Sequence, residues 1–247
     1  KEYIEKYGAC EAFAQQVEWL KKNVPKKEEE IKAEELQIAK NKRYDRFNAA
    51  LKSKNTAEIF ASGDDILKFE PDFIDLITTL ATIGLDEAAV KQNDSFNSKT
   101  IDYATTAMKK IEGGVDSKAY GLAGYEFDTK ENTLGWMNYT IGYINYFRKK
   151  DKASGLNYLY KSTQLDSETK DKEFIYALMG ELYVEKADAL NKEIVDLIKV
   201  SQGKETFEIK SKLALSKGYV DRGIDAYARA YEVAKSNLKK ETKADLK

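Results

Sequence analysis

The sequence predicts an all-α fold, and three observations support that prediction. The 247 residues include only 2 prolines, and proline is scarce in helical chains because it lacks an amide hydrogen and clashes with the preceding turn. Lysine, glutamate, alanine and leucine, which favour helices, are abundant. Apolar residues recur three and four positions apart through most of the chain, which is the period of an amphipathic helix.

The composition narrows the classes of function. The 41 basic and 42 acidic residues nearly cancel, so the basic excess that is typical of nucleic-acid-binding proteins is missing and no nucleic acid partner is expected. No run of 18 apolar residues occurs, and we therefore expect no membrane span. The chain begins at Lys1 and not at Met, so an exported and a cytoplasmic location both stay open.

Two helices are predicted at the amino terminus. The first covers Tyr3–Lys22, whose apolar residues form one stripe, and Cys10 lies in that stripe as a small core residue. The second helix follows Pro25, and the acidic residues 28–30 in its first turn suit the helix dipole.

The middle of the chain predicts three further helices and one loop. Asn55 and Glu58 have the spacing of a capping box, and the helix they begin stops before Pro71. A second helix follows at once, and a third ends at Gly113 and Gly114. Residues 113–127 lack a helical period and are predicted to form an ordered loop that packs through its aromatic side chains.

Four helices are predicted in the remainder. They cover residues 129–149, 152–165, 172–200 and 206–238, separated by short polar turns. The last of them carries a wide apolar band, which we expect to be packed so that this end of the molecule is capped. That band consists of Tyr219, Ile224, Tyr227, Ala230, Tyr231 and Val233.

Several of these helices share a motif. In the stretch FIYALMGELYVEKA, the large residue Tyr176, the pair Met179–Gly180 and Tyr183 have a spacing that resembles the first helix of a tetratricopeptide repeat. The pairs Ile141–Gly142 and Leu80–Ala81 resemble two further copies. The second helices match as small, large and small residues, at Gly155, Leu159 and Ser162 and at Gly223, Tyr227 and Ala230.

The resemblance implies an α-α superhelix, that is, a tetratricopeptide-like solenoid of antiparallel helix pairs. Residues 53–247 would form one continuous repeat region, and residues 1–52 would be its amino-terminal capping helices. The spacing between Gly142 and Gly180 is 38 residues, whereas the repeat has 34, and the 113–127 loop has no place in a minimal repeat. An irregular helical bundle therefore stays open as the alternative.

No residue pattern predicts catalysis, a metal site or a cofactor. The chain contains no histidine, which removes the commonest general base and metal ligand. The acidic pairs Asp64–Asp65 and Asp86–Glu87 are interpreted as capping residues near helix starts. We expect a protein that is not an enzyme.

The candidate binding site is aromatic. Trp136, Tyr139, Tyr143 and Tyr146 lie at positions i, i+3, i+7 and i+10, so they share one helical face, and Met137, Ile141 and Ile144 form a second apolar face. The resemblance implies that the first face lines the concave surface of the stack, together with the corresponding residues of the next repeat. The candidate groove residues are Trp136, Tyr139, Tyr143, Tyr146, Phe147, Phe174 and Glu181.

The expected function is a non-enzymatic scaffold that binds a protein or peptide segment on this concave face. Three alternatives stay open. The aromatic stripe could be core that packs beneath the 113–127 loop. The protein could be a small-ligand-binding protein or an enzyme with a pocket under that loop. It could also be a structural protein that forms homo-oligomers through the aromatic face.

Overall fold

The protein is all-α, as predicted. The computed structural model describes the backbone of residues 1–245 and the side chains of residues 1–239; the last two positions of the predicted repeat region lie outside this part. The described residues contain no β-strand. The helices are α1 (Glu2–Tyr7), α2 (Ala14–Ser53), α3 (Thr56–Leu67), α4 (Ile74–Ala89), α5 (Asn97–Glu112), α6 (Lys130–Tyr143), α7 (Lys152–Thr163), α8 (Glu173–Val200) and α9 (Phe207–Asp245).

The chain divides into two compact units. The first covers Lys1–Pro71 and the second begins at Asp72. Within the first unit α3 packs on α2, and the two helices bury Phe47, Ile59 and Phe60. The unit boundary thus follows α3, which the sequence had placed at the start of the repeat region.

The amino-terminal helices differ from the prediction. The first break comes at Gly8, where α1 ends, and α2 then runs unbroken through Pro25. A proline interrupts one backbone hydrogen bond, but residues 25–38 of α2 are almost entirely exposed, so water can take up the released carbonyl group. Cys10 is exposed in the turn between α1 and α2, and its predicted place in the core is wrong.

The predicted start of α3 is confirmed. The Asn55 side chain accepts a hydrogen bond from the Glu58 amide at 3.2 Å, which satisfies one of the free donors at a helix start. The Glu58 carboxylate does not return the bond, because it pairs with Arg46. The helix ends at Leu67, before Pro71, as the sequence predicts.

In the second unit, each helix packs against the next one in the chain, and α4 also packs against α6. The approach of α4 to α5 is close at Gly84, since an added methyl group there would lie 1.9 Å from Thr100 Oγ1. Helix α4 is buried along most of its length, with Leu76, Ile77 and Leu80 no more than 1% exposed. This helix is the centre of the core of the second unit.

The 113–127 loop is an ordered segment attached to α4. The Thr78 hydroxyl donates a hydrogen bond to the Tyr120 carbonyl at 2.6 Å, and the Leu122 amide donates to Thr79 Oγ1 at 2.8 Å. The Phe127 amide donates to the Ala119 carbonyl at 2.8 Å, which closes the loop on itself.

Helices α8 and α9 form a long antiparallel hairpin. Their contact seam consists of mostly small residues spaced by seven: Gly180, Ala187 and Ile194 on α8, and Ile209, Ser216 and Gly223 on α9. Small residues let two helix backbones approach closely, so the seam accounts for the close pairing. The predicted apolar band of α9 is packed only in part, because Ile224 and Tyr231 remain 63% and 65% exposed.

Candidate functional site

Five of the six candidate aromatic residues lie on α6 and on the π-helical turn that continues it, Ile144–Arg148, and the sixth, Phe174, lies on α8. Helix α6 begins after Thr129, whose hydroxyl accepts a hydrogen bond from the Asn132 amide at 3.1 Å. Asp128, one residue earlier, accepts a hydrogen bond from the Asn132 side chain at 2.9 Å. Both contacts fix the first turn of α6.

The second apolar face of α6 is buried. Met137, Ile141 and Ile144 are no more than 2% exposed. Next to them α6 meets α7 backbone to backbone: a methyl group added at Gly142 would lie 2.7 Å from the Leu159 nitrogen, and one added at Gly155 would lie 2.5 Å from the Tyr146 nitrogen. These two glycines therefore allow the close approach of the backbones.

The six aromatic candidates form one connected group of rings. Along α6 and its π-turn, the ring centroids of successive neighbours are 5.3 Å apart for Trp136–Tyr139, 6.0 Å for Tyr139–Tyr143 and 4.8 Å for Tyr143–Phe147. Tyr146 lies 4.8 Å from Phe147. Phe174, at the start of α8, joins the group with its ring 6.3 Å from that of Tyr139.

The group has a buried base and a partly exposed edge. Tyr139 and Tyr146 are 9% and 8% exposed and pack in a core with Leu85 of α4, Leu156 and Leu159 of α7, and Ile175 of α8. The other four rings are half-buried and lie over this core. We call these four the aromatic surface: Trp136, Tyr143, Phe147 and Phe174.

Charged side chains border the aromatic surface. The Lys172 ammonium lies 5.0 Å from the centre of the Trp136 ring and 5.3 Å from that of Tyr139, within the range of cation–π attraction. The Trp136 indole N–H donates to Glu168 Oε2 at 3.2 Å. The sequence analysis missed Lys172 and Glu168, because no local pattern indicates that residues 168–172 fold back to Trp136.

Burial changes the titration of the two tyrosines at the base. It raises the pKa of Tyr139 to about 12, and the neighbouring Tyr143 adds to that rise. Burial also raises the pKa of Tyr146, which Lys152 opposes and Glu181 and Glu185 reinforce. Both phenols therefore stay protonated at neutral pH and present hydroxyl groups, not phenolates.

The remaining candidate, Glu181, is exposed on α8. At the other end of the group, Arg148 closes the π-turn against the α4–α5 connection, where it donates to Asp94 Oδ1 at 2.6 Å, to Asp94 Oδ2 at 3.0 Å and to the Gln92 carbonyl at 2.9 Å. This pair fixes the π-turn and therefore the position of Phe147 within it.

The end of the 113–127 loop contacts the aromatic group. The Phe127 ring lies 6.5 Å from that of Trp136, whereas Tyr120 and Leu122 are bonded to α4 as described above. The core beneath the stripe is therefore supplied mainly by α4, α7 and α8.

The acidic pairs are not where the sequence analysis expected them. Asp64–Asp65 lie in the last turn of α3 and Asp86–Glu87 in the last turn of α4, so their interpretation as residues near helix starts is wrong. Their partners are local cations and amides: Asp65 pairs with Arg46 and Lys68, while Glu87 pairs with Lys91 and accepts from Asn93. Such contacts offset the unfavourable position of an acid near a helix end.

A groove also lies in the first unit, apart from the aromatic surface. It is an open groove of about 460 Å³ lined by Tyr3, Gln15, Gln16, Trp19 and Leu20. Its lining contains no carboxylate, lysine or arginine side chain.

The described part of the chain contains no group of three potential metal-ligating side chains, counting histidine, cysteine, aspartate and glutamate. In the same residues, no helix combines the length and the apolar character that crossing a bilayer requires. Comparison of the chain with protein-family models, with curated proteins and with solved structures gave no match.

Proposed function

We propose that the protein is a non-enzymatic binding module that holds a peptide or protein segment on the aromatic surface. The observation behind this proposal is the pairing of a buried base with a half-exposed edge in one group of rings. Tyrosine and tryptophan are enriched at protein interfaces because they offer a large apolar area together with a polar tip. Their rings are already held by the core here, so binding would cost little side-chain entropy.

The same arrangement fits a tetratricopeptide-like stack. In such a stack the first helices of successive pairs, here α4, α6 and α8, would line one concave surface. The packing of α4 on α6 and the contact of Phe174 with Tyr139 are consistent with that order. The glycines at the α6–α7 contact also suit this kind of helix pair.

The surface also suggests what the bound segment would contain. An apolar or aromatic side chain would pack on Tyr143, Phe147 and Phe174. Lys172 lies over the Trp136 and Tyr139 rings and forms no ion pair within the described residues, so an acidic group of the segment would find a cation beside Trp136. A short peptide with one bulky apolar residue and a nearby carboxylate is the ligand class that we propose.

Trp136 makes this proposal testable by fluorescence. The chain has 2 tryptophans, so in a Trp19→Phe variant all tryptophan fluorescence comes from Trp136. Peptides would be selected from a displayed random library on the full-length chain and then titrated against this variant. We expect an emission shift on binding, and an affinity loss of at least about tenfold in the double variant Tyr143→Ala/Phe147→Ala, as for interface hot spots.

The matched control is Tyr160→Ala, which removes an exposed tyrosine from α7. It should bind with unchanged affinity. Peptides that bind the double variant as tightly as the parent, with its circular dichroism intact, would show that the aromatic surface is not the binding site.

A further inference from the structure

The α8–α9 hairpin carries an apolar stripe that nothing in the described chain covers. On α9 its members are spaced by seven, four, three and four residues, which is the heptad pattern of a helix that pairs with another helix. On α8 a shorter set lies beside it. The stripe consists of Leu213, Val220, Ile224, Tyr227 and Tyr231 on α9, and of Val184, Val195 and Ile198 on α8.

Both sets lie on the same side of the hairpin. Tyr227 of α9 lies over Gly180, since a methyl group added there would be 2.8 Å from the Tyr227 ring, and Val184 lies beside Gly223. With 100° of rotation per residue, the other members follow on that side of each helix. The stacked rings of Tyr183 and Tyr219, 6.2 Å apart, occupy the opposite side of the seam.

The stripe is larger than the scattered apolar residues of an ordinary surface. Its members are 41% to 65% exposed, which amounts to on the order of 800 Å² of apolar side chain, the area that one partner contributes to a standard protein interface. The terminal pair of a helix stack normally carries a polar outer face. This face of the hairpin departs from that pattern.

The charges along the border of the stripe divide by sign. Near the tip of the hairpin the bordering residues are Lys192 and Lys199 on α8, and Lys210 and Lys217 on α9. Near the base they are Glu181, Glu185 and Asp188 on α8, and Asp221 on α9. Lys235 also borders the base. Four of these border charges have partners within the chain: Glu185 pairs with Lys152 at 2.8 Å, Lys199 with Asp196 at 3.1 Å, Lys210 with Glu205 at 3.1 Å and Lys235 with Glu232 at 3.6 Å. Lys192 and Lys217 at the tip and Asp188 and Asp221 at the base therefore carry the charge argument.

We propose that this stripe is the interface with a second copy of the chain. Two hairpins would pack face to face, tip to base, as an antiparallel four-helix bundle. A twofold axis then places the apolar stripe against itself and the basic tip of each copy against the acidic base of the other. The tip-to-tip arrangement would instead oppose lysine to lysine.

The test measures the self-association of the full-length chain by sedimentation velocity over a wide concentration range. Leu213→Glu and Ile224→Glu should each raise the dimer dissociation constant by about 10- to 100-fold, because each removes a buried apolar side chain from the interface. The matched control is Leu215→Glu. It changes the same residue type on the same helix at nearly equal exposure, 48% against 46% for Leu213, but on the other side of the hairpin.

The orientation is tested by charge reversal. Lys192→Glu/Lys217→Glu should weaken the dimer, and adding Asp188→Lys/Asp221→Lys should restore it. A chain that stays monomeric at several hundred micromolar would overturn the proposal, and so would a dimer that Leu215→Glu weakens as much as Leu213→Glu does. A dimer that the tip reversal strengthens would overturn the tip-to-base arrangement. None of these changes touches the aromatic surface, so the peptide-binding proposal is tested separately.

Discussion

At the contact of α6 with α7, a single methyl group is enough to disturb the packing. Gly155→Ala would place its Cβ atom 2.5 Å from the Tyr146 nitrogen, and the two backbones would have to separate. We expect a loss of about 1–3 kcal/mol in the free energy of unfolding, as for other overpacked sites, measured by urea denaturation.

Gly218→Ala is the control for that experiment. An added methyl group there meets no atom within 4 Å, and alanine is a better helix former than glycine by about 1 kcal/mol. This variant should therefore gain stability. If Gly155→Ala unfolds at the same or a higher urea concentration than the parent, the close contact of α6 with α7 is not required.

Because of Tyr139, the free energy of unfolding should fall at alkaline pH. Its pKa in the folded chain is raised to about 12, above the value of about 10 for an exposed tyrosine. Between these values the unfolded chain loses the proton while the folded chain keeps it. The contribution to stability is thus complete below pH 10 and is lost as the pH rises towards 12, by up to about 1.4 kcal/mol per pH unit.

Urea denaturation from pH 9 to pH 12 measures this effect. Tyr139→Phe should show a shallower fall in stability than the parent, and Tyr160→Phe, at an exposed position in α7, should follow the parent. Tyr44, whose pKa burial and Glu70 also raise to about 12, keeps part of the dependence in both variants. If the stability of Tyr139→Phe falls with pH as steeply as that of the parent, Tyr139 is not the source of the pH dependence.

At the residue scale, the sequence predicted part of the candidate site. The i, i+3, i+7 spacing correctly places Trp136, Tyr139 and Tyr143 in one connected group. It could not separate buried Tyr139 from half-exposed Tyr143, because an aromatic stripe has the same spacing in a core and on a surface. Lys172 could not be predicted, since its place over Trp136 depends on the turn that joins α7 to α8.

At the scale of single helices, Pro25 is the clearest conflict between residue preference and structure. It lies inside α2, which runs from Ala14 to Ser53. Pro25→Ala should restore one backbone hydrogen bond and stabilise this part of α2 by up to about 3 kcal/mol. Amide hydrogen exchange would show it as slower exchange at residues 20–30.

A second proline in the same exposed helix should have the opposite effect. Lys32→Pro replaces an exposed residue of α2, and we expect faster exchange on both sides of it. Slower exchange in Lys32→Pro, or unchanged exchange in Pro25→Ala, would mean that α2 is not continuous through Pro25.

Where the sequence predicted a helix end correctly, residues at that end mark it. Asn55 begins α3 through its side-chain hydrogen bond, and α5 ends before Gly113 and Gly114, where Gly114 has the positive φ of 98° that favours glycine. The amino-terminal prediction was wrong because the effect of Pro25 depends on solvent around the helix and not on the residue alone. The heptad seam of α8 and α9 was also missed, since its small residues are noticed only when the two helices are aligned.

At the scale of the whole molecule, the two compact units predict how truncation acts. Deleting residues 1–52 would remove α2 but leave α3, whose Ile59 and Phe60 are buried in the intact chain. Deleting residues 1–71 would remove the entire first unit. We expect the 53–247 fragment to aggregate or melt at a lower temperature than the 72–247 fragment, as measured by light scattering and circular dichroism.

The domain boundary that the sequence predicts after residue 52 leads to the opposite ranking of the two fragments. If residues 53–247 form one repeat domain, the longer fragment should be the more stable and the more soluble of the two. The ranking of the two melting temperatures therefore decides between the divisions at residues 52 and 71.

Because the α8–α9 seam repeats every seven residues, the packing of its small residues does not by itself fix how the two helices are aligned. Polar contacts fix the alignment. A shift of α9 by one heptad would again set small residues against small residues. The observed register is held by one hydrogen bond within the hairpin and one at its base: Ser216 Oγ donates to Asn191 Oδ1 at 2.8 Å, and Asn237 Nδ2 donates to the Asp171 carbonyl at 2.8 Å. The tip beyond Asn191 and Ser216 can consequently grow or shrink by whole heptads, added to both helices together, while the base of the hairpin keeps its alignment.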